Sequence, residues 1–424
     1  MKEIIYEGFK YNITELNNEI TLRGFASENN LRDGLSALMD NTIHLPPCDI
    51  IADNAFLAMD PAQTMGMAEL IEKVNFVLPD NIKKIGENAF KYCKGFSEIS
   101  FPPSLETIGF HAFSETNLEY VCVPKTLKRL APGVFYGCTN LKTVSFLSDY
   151  IKMIPGFCFA KCTNLDTITV SRIIEEIENN AFERTGFKSF DLRYCESVKE
   201  LGSEAFAECK NLEKVSFSDN FKSIGNSCFI DCESLKEVNL NDGLVSIGSN
   251  AFKNTGIKEI IIPSSVKGMG NGAFKKCKEL KKAVVNAQIK LLPDYTFFGD
   301  FNLSELVLNK GIEELGIKSL ANTGFISFTV PNHIKKLNCL ALAWCEELRK
   351  LIIENPHIVL CERAIYNEDL ESLIFDDSFN DAPIRKEYAD IFKDEIFKSK
   401  TDLVEDLTKN KITFREFNRE FGSK

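Results

Sequence analysis

The chain has 424 residues, 44% of them apolar and 26% charged, with a formal net charge of −11. This composition supports a large core beneath a solvated surface. An acidic chain without a basic run is a poor nucleic-acid binder, because phosphate neutralisation supplies most of that affinity, so DNA and RNA are not expected partners. No apolar stretch reaches the roughly 18 residues of a membrane-spanning helix, and none is expected.

The start, Met1 to Gly8, lacks the apolar run of a signal peptide. That fits a cytoplasmic chain, or a mature fragment from which a leader has been removed. Tyr6 to Ile13 and Ile20 to Phe25 alternate apolar and polar residues around Asn17-Asn18, which predicts a β-hairpin. Residues 1–44 are therefore read as a β cap over whatever follows.

From residue 45 the chain becomes periodic. An apolar anchor, itself five places after another apolar residue, recurs at Phe56, Phe90, Phe113, Phe135, Phe159, Phe182, Phe206, Phe229, Phe252, Phe274, Phe297, Leu320, Leu342 and Ile365. From Phe90 onward the spacing is 22, 23 or 24. The longer first gap places an inserted loop at about 57–70. Such a period marks a solenoid, whose units bury their apolar faces only by stacking.

Within one unit, alternating residues such as Leu212, Val215 and Phe217 predict a short strand, the concave rung. Pro102, Pro124, Pro263 or Pro331 follows the strand in several units, where a missing amide does little harm. Pairs such as Leu105/Ile108 and Ile312/Leu315 stand eight and five places before the anchor, too close to it for a long helix. A tight turn or a single helical turn is expected on the convex side.

Three places after the anchor stands Cys93, Cys138, Cys162, Cys209, Cys232, Cys277 or Cys345, or instead Thr116, Thr185, Thr255 or Thr323. After Cys the next core residue usually comes three places later, after Thr two. Two turn types of different length account for the wavering period.

Ile85-Gly86-Glu87-Asn88-Ala89-Phe90-Lys91-Tyr92-Cys93 and Ile247-Gly248-Ser249-Asn250-Ala251-Phe252-Lys253-Asn254-Thr255 resemble the repeat of BspA-like leucine-rich repeat proteins. The resemblance runs over about residues 45–376. It implies a curved α/β, β-rich solenoid of about 13 to 14 repeats with a concave parallel sheet. It also implies a surface or secreted protein of bacteria or protozoan parasites that binds proteins in adhesion, without catalysis.

The residues themselves suggest no other chemistry. His44, His111, His333 and His357 lie in different units without a nucleophile or carboxylate at a recognised spacing, and His111 reads as a surface residue. The glycines belong to the repeat and form no phosphate loop. Cys158-x-x-x-Cys162 and Cys228-x-x-x-Cys232 lack the further ligands of a zinc site. The repeating cysteines read as a buried ladder, although coils about 5 Å apart would also let Cys138 bridge Cys162 and Cys209 bridge Cys232 under oxidising conditions. No catalytic, metal or cofactor residue is assigned.

The strand residue between two inward positions faces a ligand. That column reads Ser100, Cys122, Ser145, Thr169, Asp191, Ser216 and Asn239, then Ile261, Val284, Val307, Thr329, Ile352 and Ile374. The aliphatic five, Ile261, Val284, Val307, Ile352 and Ile374, are the expected partner-binding residues, since an exposed apolar stripe usually marks a contact surface.

Residues 377–424 are read as a helical C-terminal segment. Asp381 with Pro383, Thr401, and the capping box Thr413-Phe414-Arg415-Glu416 predict three helix starts. The stretch from Asp402 to Phe421 is similar to the short helical-hairpin domains at bacterial C-termini (SHOCT type). This segment would close the open end of the array or join subunits into a homo-oligomer. The function expected first is a protein-binding module; the alternative is a scaffold assembled through these helices and the apolar stripe.

Overall fold

The computed structural model describes residues 1–38, 41–58, 65–355, 357–367, 370 and 372–375, with only the backbone of 65–68, 372, 374 and 375. The C-terminal helices expected within 377–424 lie outside the described residues. The chain divides into two compact units, Met1–Phe221 and Lys222–Lys424. It is a β-solenoid of about 12 turns with few helices, fewer turns than the 13 to 14 repeats expected from the sequence. The strand expected around Ser100 does not form.

The anchors stack ring on ring. In the first unit Phe90 and Phe113 lie 5.3 Å apart at 12°, and Phe135 and Phe159 lie 5.6 Å apart at 7°. In the second unit Phe252 sits 5.3 Å from both Phe229 and Phe274. All of these rings are fully buried, each worth about 1.5–3 kcal/mol of transfer free energy. The residue five before an anchor enters a second ladder of two-residue parallel strands, such as Lys84–Ile85, Thr107–Ile108 and Arg129–Leu130.

No helical turn forms at the anchor. The residues two before and two after it adopt left-handed backbone: Asn88 and Tyr92 at φ 50° and 66°, Asn250 and Asn254 at 54° and 56°, Leu340 and Trp344 at 58° and 57°. This turns every second amide along the stack. Asn88, Phe90 and Tyr92 N–H donate to the carbonyls of Phe110, Ala112 and Ser114 on the next coil, at 2.8, 2.8 and 2.9 Å. Three coil-to-coil bonds thus replace the internal bonds a helix would have made.

The two turn types solve one problem differently. Thr116 Oγ1 donates back to its own anchor carbonyl, Phe113 O, at 2.9 Å, and Thr185, Thr255 and Thr323 do the same to Phe182, Phe252 and Leu320. Cys138 and Cys162 Sγ reach instead to the anchor carbonyls of the preceding coil, Phe113 and Phe135, both at 3.1 Å. The shorter Thr turn brings backbones close. A Cβ on Gly256, which follows Thr255, would lie 2.5 Å from the Glu233 carbonyl oxygen.

Thr-type turns also break the rung sheet. Thr116 precedes Tyr120–Val123, the first of three hydrogen-bonded strands that end with Thr167–Thr169. Thr185 precedes Ser189–Asp191, which is in a different sheet. In the second unit Thr255 and Thr323 precede Glu259–Ile262 and Ser327–Val330, each of which opens its own group of three. A turn one residue short offsets the next strand so that its amides no longer meet the previous rung.

The N-terminus holds three antiparallel strands, Lys2–Tyr6, Phe9–Leu16 and Glu19–Phe25, with Asn17 and Asn18 at positive φ between the last two. The third pairs in parallel with Ile50–Ile51. Two helices were not expected. Glu28–Ser36 is capped by Ser27, whose side chain accepts from Asn30 N–H, and Met65–Glu72 falls where a loop was expected. The latter's Met, Ala, Leu and Glu content favours helix once the repeat constraint is lifted.

Candidate functional site

The aliphatic column takes its place through parallel register. Glu259–Ile262, Lys282–Val285 and Glu305–Leu308 pair so that Ile261, Val284 and Val307 stand side by side. Alternation sets their direction: Ile260 and Ile262 are 2% and 0% exposed, whereas Ile261 is 63% and Val307 55%. Val284 between them is half-buried. In Ser327–Val330, Lys350–Ile353 and Ser372–Phe375, Thr329, Ile352 and Ile374 are likewise in register. Ile352 is half-buried, and of Ile374 only the backbone is described. The five residues thus fall into two registered groups separated by a sheet break.

Charge borders the first group. Glu259, Lys282 and Glu305 are in register beside it, and Lys282 Nζ lies 3.2 Å from Glu305 Oε2. At its edge a depression of about 590 Å³ is lined by Ile261, Pro263, Asp242, Glu259, Asn286 and Asn309, among others. Ile326, 67% exposed, escaped the column reading. It stands three residues before Thr329 of the column, where two other units carry Lys258 and Lys281, and that substitution was its signal.

The first unit presents a polar face instead. Tyr120 donates its hydroxyl to Ser145 Oγ at 3.3 Å, and Asp191 is clasped by Arg193 at 2.6 Å. The guanidinium holds the Asp191 carboxyl below its usual range. Ser216, read as outward, is buried.

Cys158 and Cys228 occupy the small-residue place just before the anchor, which accounts for their four-residue spacing from Cys162 and Cys232. No disulfide joins any of the fourteen cysteines, the two pairs considered for bridging included. Burial pushes Cys48 up to about 12 and raises Cys93, Cys158 and Cys162 as well, so these thiols stay protonated and unreactive. Among the described residues no group of three or more His, Cys, Asp or Glu is placed to hold a metal ion. No helix among them is long and apolar enough to cross a membrane.

His111 is not a simple surface residue. Its Nδ1 lies 3.0 Å from Gly133 O, and its ring packs edge-on against Phe110 and Tyr136. Burial and then Lys91 lower its basicity, against the opposing bond to Gly133. Asp300 was also missed. It fills the Cys/Thr place three after Phe297, where Oδ1 accepts from Cys277 N–H at 2.8 Å and Oδ2 has no partner. Burial raises its acid well above the carboxylate range.

The family model for the BspA type Leucine rich repeat region matches in six copies, over residues 70–188, 152–281 and 269–385. Among solved structures, a leucine-rich cell surface protein of Faecalibacterium prausnitzii is 19% identical with a TM-score of 0.50, over 83% of this chain and 95% of that one. A leucine-rich repeat protein of Bacteroides ovatus is 19% identical with a TM-score of 0.48, over 87% and 94%. The pneumococcal vaccine antigen PcpA is 19% identical with a TM-score of 0.45, over 84% and 94%. No curated protein matches the chain.

Proposed function

We propose, from the premise that this chain belongs to the BspA-type leucine-rich repeat family, that it is a non-enzymatic protein-binding module whose partner sits on the strand face of residues 259–353. The row Ile261, Val284 and Val307 carries this reading, because it presents aliphatic side chains outward from a hydrogen-bonded sheet. Rigid exposed apolar surface costs little ordering on association and marks contact sites. The flanking Glu259, Lys282 and Glu305 supply a charged rim, which governs specificity more than affinity. Adhesion at a cell surface is the setting this reading favours, in line with the description of the Faecalibacterium relative.

The test compares the wild-type chain with Ile261→Glu/Val307→Glu/Ile352→Glu. Proteins retained by the wild type are purified and titrated against both chains by calorimetry. A partner whose Kd weakens at least tenfold in the triple variant, with thermal stability unchanged, supports the reading. Equal Kd values overturn it. Light scattering that shows a wild-type dimer and a monomeric variant replaces the foreign partner with a second copy, the scaffold alternative.

A further inference from the structure

The turn face of the second unit carries a feature that the strand face does not use. The period brings lysines from distant parts of the sequence onto one stack of four coils: Lys253 and Lys275 directly follow the anchors Phe252 and Phe274, Lys276 comes next, and Lys318 stands two before Leu320, with the coil of Phe297 between. Aromatic rings lie between them. Lys275 Nζ sits 5.0 Å from the Tyr295 ring and 5.3 Å from Phe298. Lys318 Nζ sits 5.8 Å from the same Tyr295 and 4.9 Å from Trp344.

These cations are not neutralised. None of Lys253, Lys275, Lys276, Lys278 and Lys318 forms an ion pair among the described residues, although Lys282, Lys335 and Lys336 of the same unit do. Lys275 is depressed by burial and by the like charges of Lys253, Lys276 and Lys318. Of the acids nearby, Asp231 lines the depression described next and accepts from Asn254 Nδ2 at 2.9 Å, Asp294 accepts from Ile317 N–H at 2.7 Å, and Asp300 is buried. Beside the strip a depression of about 470 Å³ is lined by Lys253, Lys276, Lys278, Phe298 and the exposed Phe301, among others.

We propose that this strip and its depression bind a linear polyanion bearing sulfate or phosphate groups, with a sulfated glycan as the occupant. Repelling ammonium groups on coils about 5 Å apart gain most from a chain whose charges recur at short intervals. The ring faces do not favour a single-stranded nucleic acid. Stacking of bases needs open aromatic platforms, and here both Tyr295 and Trp344 already carry ammonium groups. The overall charge of −11 conceals the strip, because its lysines meet only in the fold.

The test titrates the full chain with a fluorescent heparin oligosaccharide across a salt series. Lys275→Gln and Lys318→Gln are each expected to weaken binding about fivefold and to lower the salt slope by about one. Lys335→Gln, which removes a lysine paired with Glu313, serves as the control and leaves both quantities unchanged. Lys275→Arg, which retains charge, restores binding and separates loss of the site from loss of the fold. Inorganic polyphosphate is run in parallel; if it binds tighter than heparin and shows the same losses, the site stands with phosphate as its source. Heparin binding indifferent to both Gln variants, no binding at low salt, or tighter binding of a single-stranded oligonucleotide overturns the proposal.

Discussion

Thr116 Oγ1 lies 3.2 Å from Cys138 Sγ, and both side chains address one acceptor, the Phe113 carbonyl oxygen, from 2.9 and 3.1 Å. The same triangle recurs with Thr255, Cys277 and Phe252, and with Thr323, Cys345 and Leu320. A buried carbonyl is satisfied twice, once from its own coil and once from the next. Each such contact joins neighbours in an array whose stability is a sum of nearest-neighbour terms.

That redundancy predicts non-additivity. Thr116→Val or Cys138→Val alone leaves Phe113 O with one donor and should cost about 1 kcal/mol. The double variant strands the carbonyl and should cost more than the sum, by about 0.5 kcal/mol or above. Chemical denaturation of the four chains measures this.

Asp300 predicts an inverted pH dependence. Its folded acid titrates above its unfolded value, so the folded state holds a proton that the unfolded state has released. The contribution is neutral below the unfolded pKa and falls by about 1.4 kcal/mol per pH unit until the folded pKa is passed. Asp300→Asn removes this loss. The variant's stability advantage over wild type should therefore grow as the pH rises above the ordinary carboxylate value, read from denaturation midpoints at each pH.

The strand face offers an internal control. Ile261→Ser or Val307→Ser should change stability by less than about 0.5 kcal/mol, as at other exposed positions. Ile260→Ala, one residue away and 2% exposed, should cost about 2–5 kcal/mol. Similar losses at Ile261 and Ile260 would show that the stripe is already covered.

Phe157 stands two before the anchor Phe159 with φ 57° and is 43% exposed. Its counterparts in other coils are Asn88 and Asn180, which tolerate left-handed backbone better. Phe157→Asn should stabilise the chain by about 0.5–1 kcal/mol, seen as a rise in Tm.

Much of the coil could be read locally. The anchors, the residues five before them, and the Cys/Thr place recur with a period of 22 to 24 residues from Phe90 onward, so their burial followed from spacing alone. Asp300 stands in that column too, three after Phe297, but an acid there breaks the Cys/Thr alternation that marks the place. The outward direction of Ile261 came from alternation, but Ser216 shows the limit of that rule: whether an outward residue is covered depends on neighbours far along the chain. The helix Met65–Glu72 was hidden for a related reason, since an insertion released from the repeat falls back on its own propensity.

By itself the sequence determined the repeat, its stacking core, its two turn lengths and its family, because each is set by contacts between one residue and its equivalents about 23 places away. Tertiary structure alone decided how those turns act together. A Thr turn one residue short breaks the sheet into groups of three and divides the aliphatic stripe, while stacking of the coils gathers lysines 253, 275, 276 and 318 on the turn face. Register and the meeting of charges depend on backbone rise and on φ, not on composition, and neither exists until the coils are stacked.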